Sequence, residues 1–167
     1  MGTQTIRQHI KKAIYFIYQV ISTAVIMLGL ILAVLYLCGI RLYHVKSGSM
    51  GELLPVGCVC FVSTYSSFDD IAVGDVISFS VPDDVKVTHR AIRVTDKGIY
   101  TQGDMNETQD PDPVTKANYI GKTVFALPNV GEALGFVQTL EGKIAIVSGI
   151  VLLLLLGFYY KPESNET

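Results

Sequence analysis

A short serine-containing turn, one histidine and an acidic loop are the parts of this chain that could do chemistry together. Residues 46–51 read Lys-Ser-Gly-Ser-Met-Gly, His89 follows downstream, and residues 103–112 carry three aspartates. Serine is a poor nucleophile until a base takes its proton, and that base needs a third group to fix its tautomer. Backbone amides of a glycine-containing turn could also stabilise an oxyanion. The alternative is an ordinary flexible turn, because Ser, His and Asp occur together in most domains of this size.

The composition concentrates the apolar residues in two blocks. The chain has 167 residues, a formal net charge of -2, 50% hydrophobic residues and only 17% charged residues. Asp, Glu, Lys and Arg are absent from residues 13–40 and again from residues 144–160. The residues between these blocks suffice for one domain with its own core. The composition therefore excludes a soluble enzyme, a multidomain protein, a disordered chain and a disulfide scaffold.

Both apolar blocks are predicted to be transmembrane helices. A helix over residues 13–40 would be about 42 Å long, against roughly 30 Å of hydrocarbon, whereas residues 144–160 are at the short end for a span. A cleavable signal peptide is the competing interpretation of the first block, but its apolar region would be only about 7–15 residues long. For the second block the competitor is a buried helix, which a small domain could hardly cover on every side.

The predicted organisation has five parts and places the middle domain outside the cytoplasm. The parts are a cytoplasmic N-terminus (1–12), a helix (13–40), an extracytoplasmic domain (41–143), a second helix (144–160) and a cytoplasmic tail (161–167). Arg7, Lys11 and Lys12 precede the first helix without any acidic residue, which predicts a cytoplasmic N-terminus. From Lys46 to Lys143, eight basic residues stand against thirteen acidic ones, so no nucleic-acid partner is expected.

Between the two blocks the pattern predicts a small antiparallel β domain. Runs of β-branched and aromatic residues are bounded by Gly, Pro and Asp, as is typical of short strands. The predicted strands lie within residues 58–62, 73–81 (a turn and then a strand), 85–94, 99–101 and 119–127. The sequence Gln-Asp-Pro-Asp-Pro at 109–113 must be a rigid loop. The fold class is therefore a membrane-anchored, mainly β protein with two transmembrane helices flanking this domain.

The cysteines and the other histidines predict neither a metal site nor a cofactor site. Cys58 and Cys60 are two apart on a predicted strand, so they share a face, and no nearby histidine completes a zinc site. Small buried apolar residues are the favoured interpretation. His9 and His44 have no partner by spacing, so no metal and no cofactor is expected.

Five short motifs follow one another behind the first apolar block. They are Ser-Gly-Ser-Met at 47–50, Gly-Asp-Val-Ile-Ser-Phe at 74–79, Thr-His-Arg at 88–90, Thr-Gln-Gly-Asp-Met-Asn at 101–106 with Asp110 after it, and Ile-Gly-Lys-Thr-Val-Phe-Ala-Leu-Pro at 120–128. Together, over about residues 41–135, they resemble the type I signal peptidases. The resemblance is closest to the Ser/His subgroup, which is typified by the endoplasmic-reticulum enzyme and includes SipW-like bacterial members.

The resemblance implies a signal-peptidase/LexA-like β fold and a set of catalytic roles. Ser49 would be the nucleophile and His89 the general base. Asp110 would orient His89 and Asp104 would have a supporting role, with the reverse assignment of the two aspartates left open. The side chain of Ser47 and the backbone N–H of Ser49 would form the oxyanion hole.

The implied function is that of a serine endopeptidase which removes N-terminal signal peptides from secretory preproteins at the outer membrane face. Its partners would be the preproteins and the lipid bilayer, with the secretion translocon as a further candidate. Its location would be the cell membrane, or the endoplasmic-reticulum membrane in a eukaryote, as a two-pass protein.

Two alternatives stay open at this point. The family usually has Pro where this chain has Glu52, which leaves room for a membrane-tethered binding or assembly protein without catalysis. A Ser/Lys peptidase would need a lysine on the strand at the position where this chain has His89. Lys86 is predicted to lie on the strand face opposite His89.

Overall fold

The computed structural model describes residues 3–160, in a helical unit and a sheet unit. The sheet unit is Val34–Phe136, and the helical unit comprises residues 3–33 and 137–160. In chain order the elements are α1 (Thr3–Leu37), β1 (Ile40–His44), β2 (Val59–Ser63), β3 (Val76–Val81), β4 (Val85–Thr95), β5 (Gly98–Gln102), β6 (Tyr119–Leu127), α2 (Gly131–Gln138) and α3 (Leu140–Tyr160).

Two helices are long and apolar enough to cross a membrane. They are Gln8–Leu37 and Leu140–Tyr160, and 0% and 6% of their most apolar windows are buried within the protein. Within the helical unit they contact each other at Tyr18 and Gly157. A Cβ added to Gly157 would lie 2.2 Å from the Tyr18 hydroxyl, so a larger residue here would displace the tyrosine ring. The remaining apolar surface of both helices faces outward.

The first long helix ends at Leu37, three residues before the predicted limit. Gly39 adopts a φ of +74°, which a residue with a Cβ rarely takes, and its N–H donates to the carbonyl of Tyr36 at 3.1 Å. The hydroxyl of Tyr65 donates to the Leu37 carbonyl at 2.9 Å and so satisfies another terminal acceptor. The end of the predicted helix over residues 13–40 is therefore wrong, and the chain enters β1 at Ile40.

The second long helix begins at Leu140, four residues before the predicted start at 144. Thr139 precedes it, and its side-chain oxygen accepts the N–H of Gly142 at 3.0 Å, as an N-cap residue does. The charged residues Glu141 and Lys143 lie in this first turn. Because the helix was predicted from a block without charged residues, its predicted start is four residues too late. The predicted tail at 161–167 lies outside the described residues.

The sheet unit contains one six-stranded sheet in the order β1-β2-β6-β3-β4-β5, and every neighbouring pair is antiparallel. The predicted antiparallel β domain is thus confirmed. β1 was not among the predicted strands. It pairs with β2 from Ile40 opposite Ser63 to His44 opposite Val59, and it leads directly into the serine-containing segment.

Two clusters of buried apolar residues support this sheet. The first consists of Ile71, Ile77, Phe79, Ala91, Ile99 and Val114, and the second of Met50, Leu54, Cys58, Cys60 and Val62. Met50 and Leu54 belong to the segment between β1 and β2 and are each only 2% exposed. Burying such a side chain stabilises the fold by about 1.5–3 kcal/mol. The segment that carries the candidate serine is therefore fixed by packing rather than free.

The short helix α2 packs against the end of β1. A Cβ at Gly131 would lie 2.3 Å from the His44 ring, so the helix approaches the imidazole through its glycines. The N–H of Gly131 donates to the carbonyl of Gly57 at 2.8 Å. His44 Nε2 lies 3.9 Å from a carboxylate oxygen of Glu132, a neighbour that spacing in the sequence does not indicate.

Candidate active site

Ser49 lies in a tight turn that the rest of the sheet unit holds in place. The N–H of Gly51 donates to the Gly48 carbonyl at 3.0 Å, which closes the turn around the serine. The Ser49 carbonyl accepts the N–H of Met105 at 2.9 Å. The chain passes very close here, since a Cβ at Gly103 would lie 2.7 Å from the same carbonyl oxygen. The loop after β5 therefore fixes the main chain of the candidate nucleophile.

His89 lies on β4 with its ring between a hydroxyl and a carboxylate. Its side chain is 7% exposed, and the ring meets Phe79 edge to face at 6.4 Å between centroids. Nε2 is 3.0 Å from Ser49 Oγ, and Nδ1 is 2.7 Å from Asp110 Oδ2. An ionised carboxylate only accepts hydrogen bonds, so Nδ1–H donates to Asp110. In the neutral ring Nε2 is then the acceptor for the proton of Ser49.

Asp110 is held in place by β5. Its N–H donates to the carbonyl of Thr101 at 2.8 Å, and the Thr101 hydroxyl donates to Oδ2 at 2.6 Å. Further along the loop, Ile99 and Val114 exchange two backbone hydrogen bonds at 2.8 and 2.7 Å. The proline-containing loop is thus tied to the edge of the sheet on both sides of the candidate carboxylate.

Within residues 3–160 Asp104 forms no hydrogen bond with His89 and binds Arg90 instead. Arg90 Nε and Nη2 donate to its two carboxylate oxygens at 2.8 and 2.6 Å, and Nη1 donates to the Gly74 carbonyl at 2.8 Å. The hydrogen bonds from Arg90 hold the pKa of Asp104 below its ordinary value, although partial burial opposes this shift. Of the two aspartates that the sequence could not distinguish, only Asp110 reaches the imidazole.

The candidate oxyanion-hole groups lie beside the serine. The Ser47 hydroxyl is 3.3 Å from Ser49 Oγ. Gly51, two residues beyond Ser49, has a φ of +55°, and a Cβ there would lie 2.9 Å from the Met105 side chain. This position therefore requires glycine. Glu52, at the position where the resemblance leads us to expect proline, is exposed.

A cleft of about 480 Å³ runs past these groups. One wall is the end of β1 and the serine segment, and the other wall is the first half of β4. β4 pairs with β5 only from Arg90 onward, so residues 85–89 have a neighbouring strand on one side alone within the described chain. Ala91 directs its N–H towards Asp75, and directions alternate along a strand. The main-chain groups of Lys86 and Thr88 therefore face the open edge.

Other residues noted in the sequence have structural surroundings. Asp75 precedes β3 and accepts the Ala72 N–H at 3.1 Å, as expected for a turn residue, and it also pairs with Lys122 at 2.7 Å. Burial of Asp75 opposes its ionisation, but the bonds from Lys122 and Ala72 outweigh this effect and lower the pKa of the carboxyl. The side chain of Asp112 is exposed. Neither Asp75 nor Asp112 lies in the hydrogen-bond chain at Ser49.

The two cysteines near the start of β2 are buried, as the sequence predicted. Cys58 and Cys60 are both 0% exposed. Desolvation by burial, with the neighbouring thiol of Cys58, raises the pKa of Cys60 to about 12, so this thiol stays protonated at neutral pH. Within residues 3–160, no group of three or more His, Cys, Asp or Glu side chains is arranged to hold a metal ion.

Lys86 is engaged on the exposed hairpin between β3 and β4. Its Nζ forms an ion pair with Asp84 and donates to Ser80 Oγ at 3.2 Å. Its side chain points to the sheet face opposite His89, because the two residues are three apart on one strand. The lysine that a Ser/Lys mechanism would require is thus occupied elsewhere.

Comparison with known proteins identifies the family. The profile of the family described as signal peptidase, peptidase S26, matches residues 17–129. The chain belongs to this family. It is also 34% identical over 95 residues to Signal peptidase I W of Bacillus subtilis strain 168, a match that covers 54% of this chain and 50% of the relative. The match thus spans only about half the length of that relative, and the expectation of a type I signal peptidase is confirmed.

Membership of the signal peptidase family makes the serine-centred geometry the natural candidate for its chemistry. Sequence reasoning named Ser49, His89 and Asp110, and these three residues are joined by hydrogen bonds. It missed Thr101 and Arg90, although both lie inside motifs that carried the resemblance. Arg90 could have been noticed in the sequence because it directly follows His89 and because Asp104, downstream of it, had no assigned basic partner.

Proposed function

We propose that this chain is a membrane-anchored serine endopeptidase that removes signal peptides from secretory preproteins. The single observation that supports this most is the hydrogen-bond chain from Ser49 Oγ through His89 to Asp110, at 3.0 and 2.7 Å. These distances lie in the range for a nucleophile, its base and the group that orients the base. The chain that carries these hydrogen bonds belongs to the signal peptidase family, which supports the same activity.

The mechanism follows from the orientation of the imidazole. Ser49 Oγ attacks the scissile carbonyl while His89 Nε2 accepts the serine proton. The imidazolium, stabilised by Asp110, then protonates the leaving amine, and water hydrolyses the acyl-enzyme by the same route in reverse. The Ser47 hydroxyl and the Ser49 N–H are the groups that would donate to the developing oxyanion.

Substrate binding would use the open edge of β4. An extended peptide in the cleft can pair with the main chain of Lys86 and Thr88, and this kind of recognition obtains affinity from backbone hydrogen bonds and specificity from side-chain pockets. The apolar lining includes Val45, Leu54 and Val87, which suits small uncharged side chains at the cleavage site. β1 begins three residues after α1 ends. The wall of the cleft that β1 forms therefore follows the proposed membrane span closely in the sequence.

The proposed topology has α1 and α3 spanning the membrane and the residues between these two helices on the outer side. Its support is the length and apolar surface of the two helices, together with Lys11 and Lys12 near the start of the first. Anchoring the enzyme in the bilayer that also holds the signal peptide raises their effective concentration. The secretion translocon is a further proposed partner. Protease added to sealed vesicles should digest the sheet unit only when the outer face is exposed.

The function is tested by incubating the purified chain with a labelled preprotein and mapping the cut site. Ser49→Ala, His89→Ala and Asp110→Ala should each abolish cleavage while the protein still accumulates in the membrane, and Ser66→Ala serves as a matched remote control. Full cleavage by Ser49→Ala would contradict the nucleophile assignment. If cells that carry any of the three substitutions behave like wild type, the alternative of a tethered binding or assembly protein is favoured.

A further inference from the structure

Thr101 makes a contact that the three proposed catalytic residues do not explain. Its side chain is 0% exposed, and its hydroxyl donates to Asp110 Oδ2 at 2.6 Å. The same oxygen accepts Nδ1–H of His89 at 2.7 Å. One carboxylate oxygen thus receives two hydrogen bonds, and in residues 3–160 the other oxygen, Oδ1, receives none from the protein.

The position of Thr101 is set independently of the loop that it holds. Thr101 lies in β5 opposite Ala91, which is two residues beyond His89 on β4, so the sheet register fixes the hydroxyl relative to the imidazole. The carbonyl of Thr101 also accepts the N–H of Asp110 at 2.8 Å. Main chain and side chain of one strand residue therefore bind the backbone and the carboxylate of Asp110 together.

We propose that Thr101 is a positioning residue that fixes the rotation of the Asp110 carboxylate, so that Oδ2 faces His89. This inference rests on the proposed function. Without the hydroxyl, only His89 would bind the carboxylate of Asp110. The backbone hydrogen bond of the loop remains, but it does not fix the side-chain torsion of Asp110. The hydroxyl also stabilises the ionised carboxylate when the imidazole is neutral, which is the state that accepts the serine proton.

Two substitutions separate the hydroxyl from the packing of this residue. Thr101→Val keeps the β-branched shape that suits a buried strand position but removes the donor, whereas Thr101→Ser keeps the donor and removes a methyl group. Thr123→Val is the matched control. Its hydroxyl oxygen is buried on β6 and has no hydrogen-bond partner within residues 3–160, so the same chemical change there removes no bond.

The test measures kcat, KM and the pH profile of preprotein cleavage for these variants alongside wild type and Ser49→Ala. Thr101→Val should lower kcat about tenfold to a hundredfold, as expected for one hydrogen bond to a charged group, with KM little changed. The acidic limb of its profile should move to lower pH, because a carboxylate that no longer faces Nδ1 stabilises the imidazolium less. Thr101→Ser should restore both properties, and Thr123→Val should match wild type.

The outcomes distinguish this inference from the proposed function. If Thr101→Val keeps the wild-type rate and profile, or if Thr101→Ser is the more damaged variant, the inference is overturned and Thr101 only packs the strand. If Ser49→Ala cleaves as well as wild type, the proposed function itself fails. A thermal unfolding measurement on each variant shows that the compared proteins are folded.

Discussion

Two aspartates six residues apart in the same loop have the same side chain and opposite surroundings. Asp110 faces the imidazole of His89, the group proposed to accept the proton of Ser49. Asp104 faces the guanidinium of Arg90, which stays charged. The comparison teaches that two carboxylates of one loop can have separate roles. In the proposed mechanism Asp110 orients His89, whereas Asp104 binds Arg90 next to Met105, whose N–H donates to the Ser49 carbonyl.

The largest difference between the two aspartates should appear on conversion to asparagine at position 110. An amide can present its N–H₂ group to Nδ1, which favours the imidazole tautomer with the proton on Nε2, and that tautomer cannot accept the serine proton. We expect Asp110→Asn to lower kcat by about a thousandfold to ten-thousandfold with little change in KM. Single-turnover cleavage of a labelled preprotein measures this, and a loss smaller than tenfold would show that Asp110 does not orient the base.

The matching change at the other aspartate should have a smaller effect. Asp104→Asn weakens the bond to Arg90 and loosens the turn, so we expect cleavage to fall by about tenfold. Arg90→Met should cost about as much, and the double variant little more, because both changes remove the same ion pair. If Asp104→Asn were as inactive as Asp110→Asn, the roles assigned to the two carboxylates would have to be exchanged.

Acid stability should distinguish the pair further. The pKa of Asp104 is lower in the folded state, so its ion pair contributes stability above the unfolded pKa of about 4, and that contribution is lost as the pH falls through the lowered folded value. The side chain is 29% exposed, and the contribution should therefore be about 1 kcal/mol or less. Thermal unfolding at pH 6 and pH 3 should differ less in Asp104→Asn than in wild type. If the difference in thermal unfolding between pH 6 and pH 3 is the same in both proteins, the Arg90–Asp104 ion pair contributes no measurable stability because solvent screens it.

The smallest effect is expected at a third carboxylate–cation pair. Asp84 is 88% exposed and binds Lys86 on the hairpin before β4. Because a substrate strand would use only the main chain of Lys86, Lys86→Met should lower cleavage by no more than about threefold, the scale of an exposed side-chain substitution. Abolition of cleavage in this variant would instead support a Ser/Lys mechanism.

Much of the sheet could be predicted because the residues that end its strands directly follow them in the sequence. Pro82 follows the strand Val76–Val81 and Pro128 follows the strand Tyr119–Leu127, so the ends of both strands were predicted where the structure has them. β1 was missed because Ile40 and Leu42 continue the apolar block before them. Only the register against β2 shows that this segment has left the helix.

The identities of the site residues could be predicted from motifs, whereas their division of labour could not. Order along the chain places Asp104 and Asp110 in one loop but does not say which of them the loop turns towards β4. That choice depends on contacts far apart in sequence, namely the Met105 N–H on the Ser49 carbonyl and the Asp110 N–H on the Thr101 carbonyl. The partners of Arg90 and Thr101 were hidden for the same reason.

The central claim is that Ser49, His89 and Asp110 act as one unit, and a mutant cycle on kcat tests it most directly. Ser49→Ala, His89→Ala and the double variant are compared with wild type in cleavage of the same preprotein. Because either change alone disables the unit, the account predicts that all three variants fall to one common residual rate. Losses that instead multiply in the double variant, or a Ser49→Ala variant that still cleaves, would contradict it.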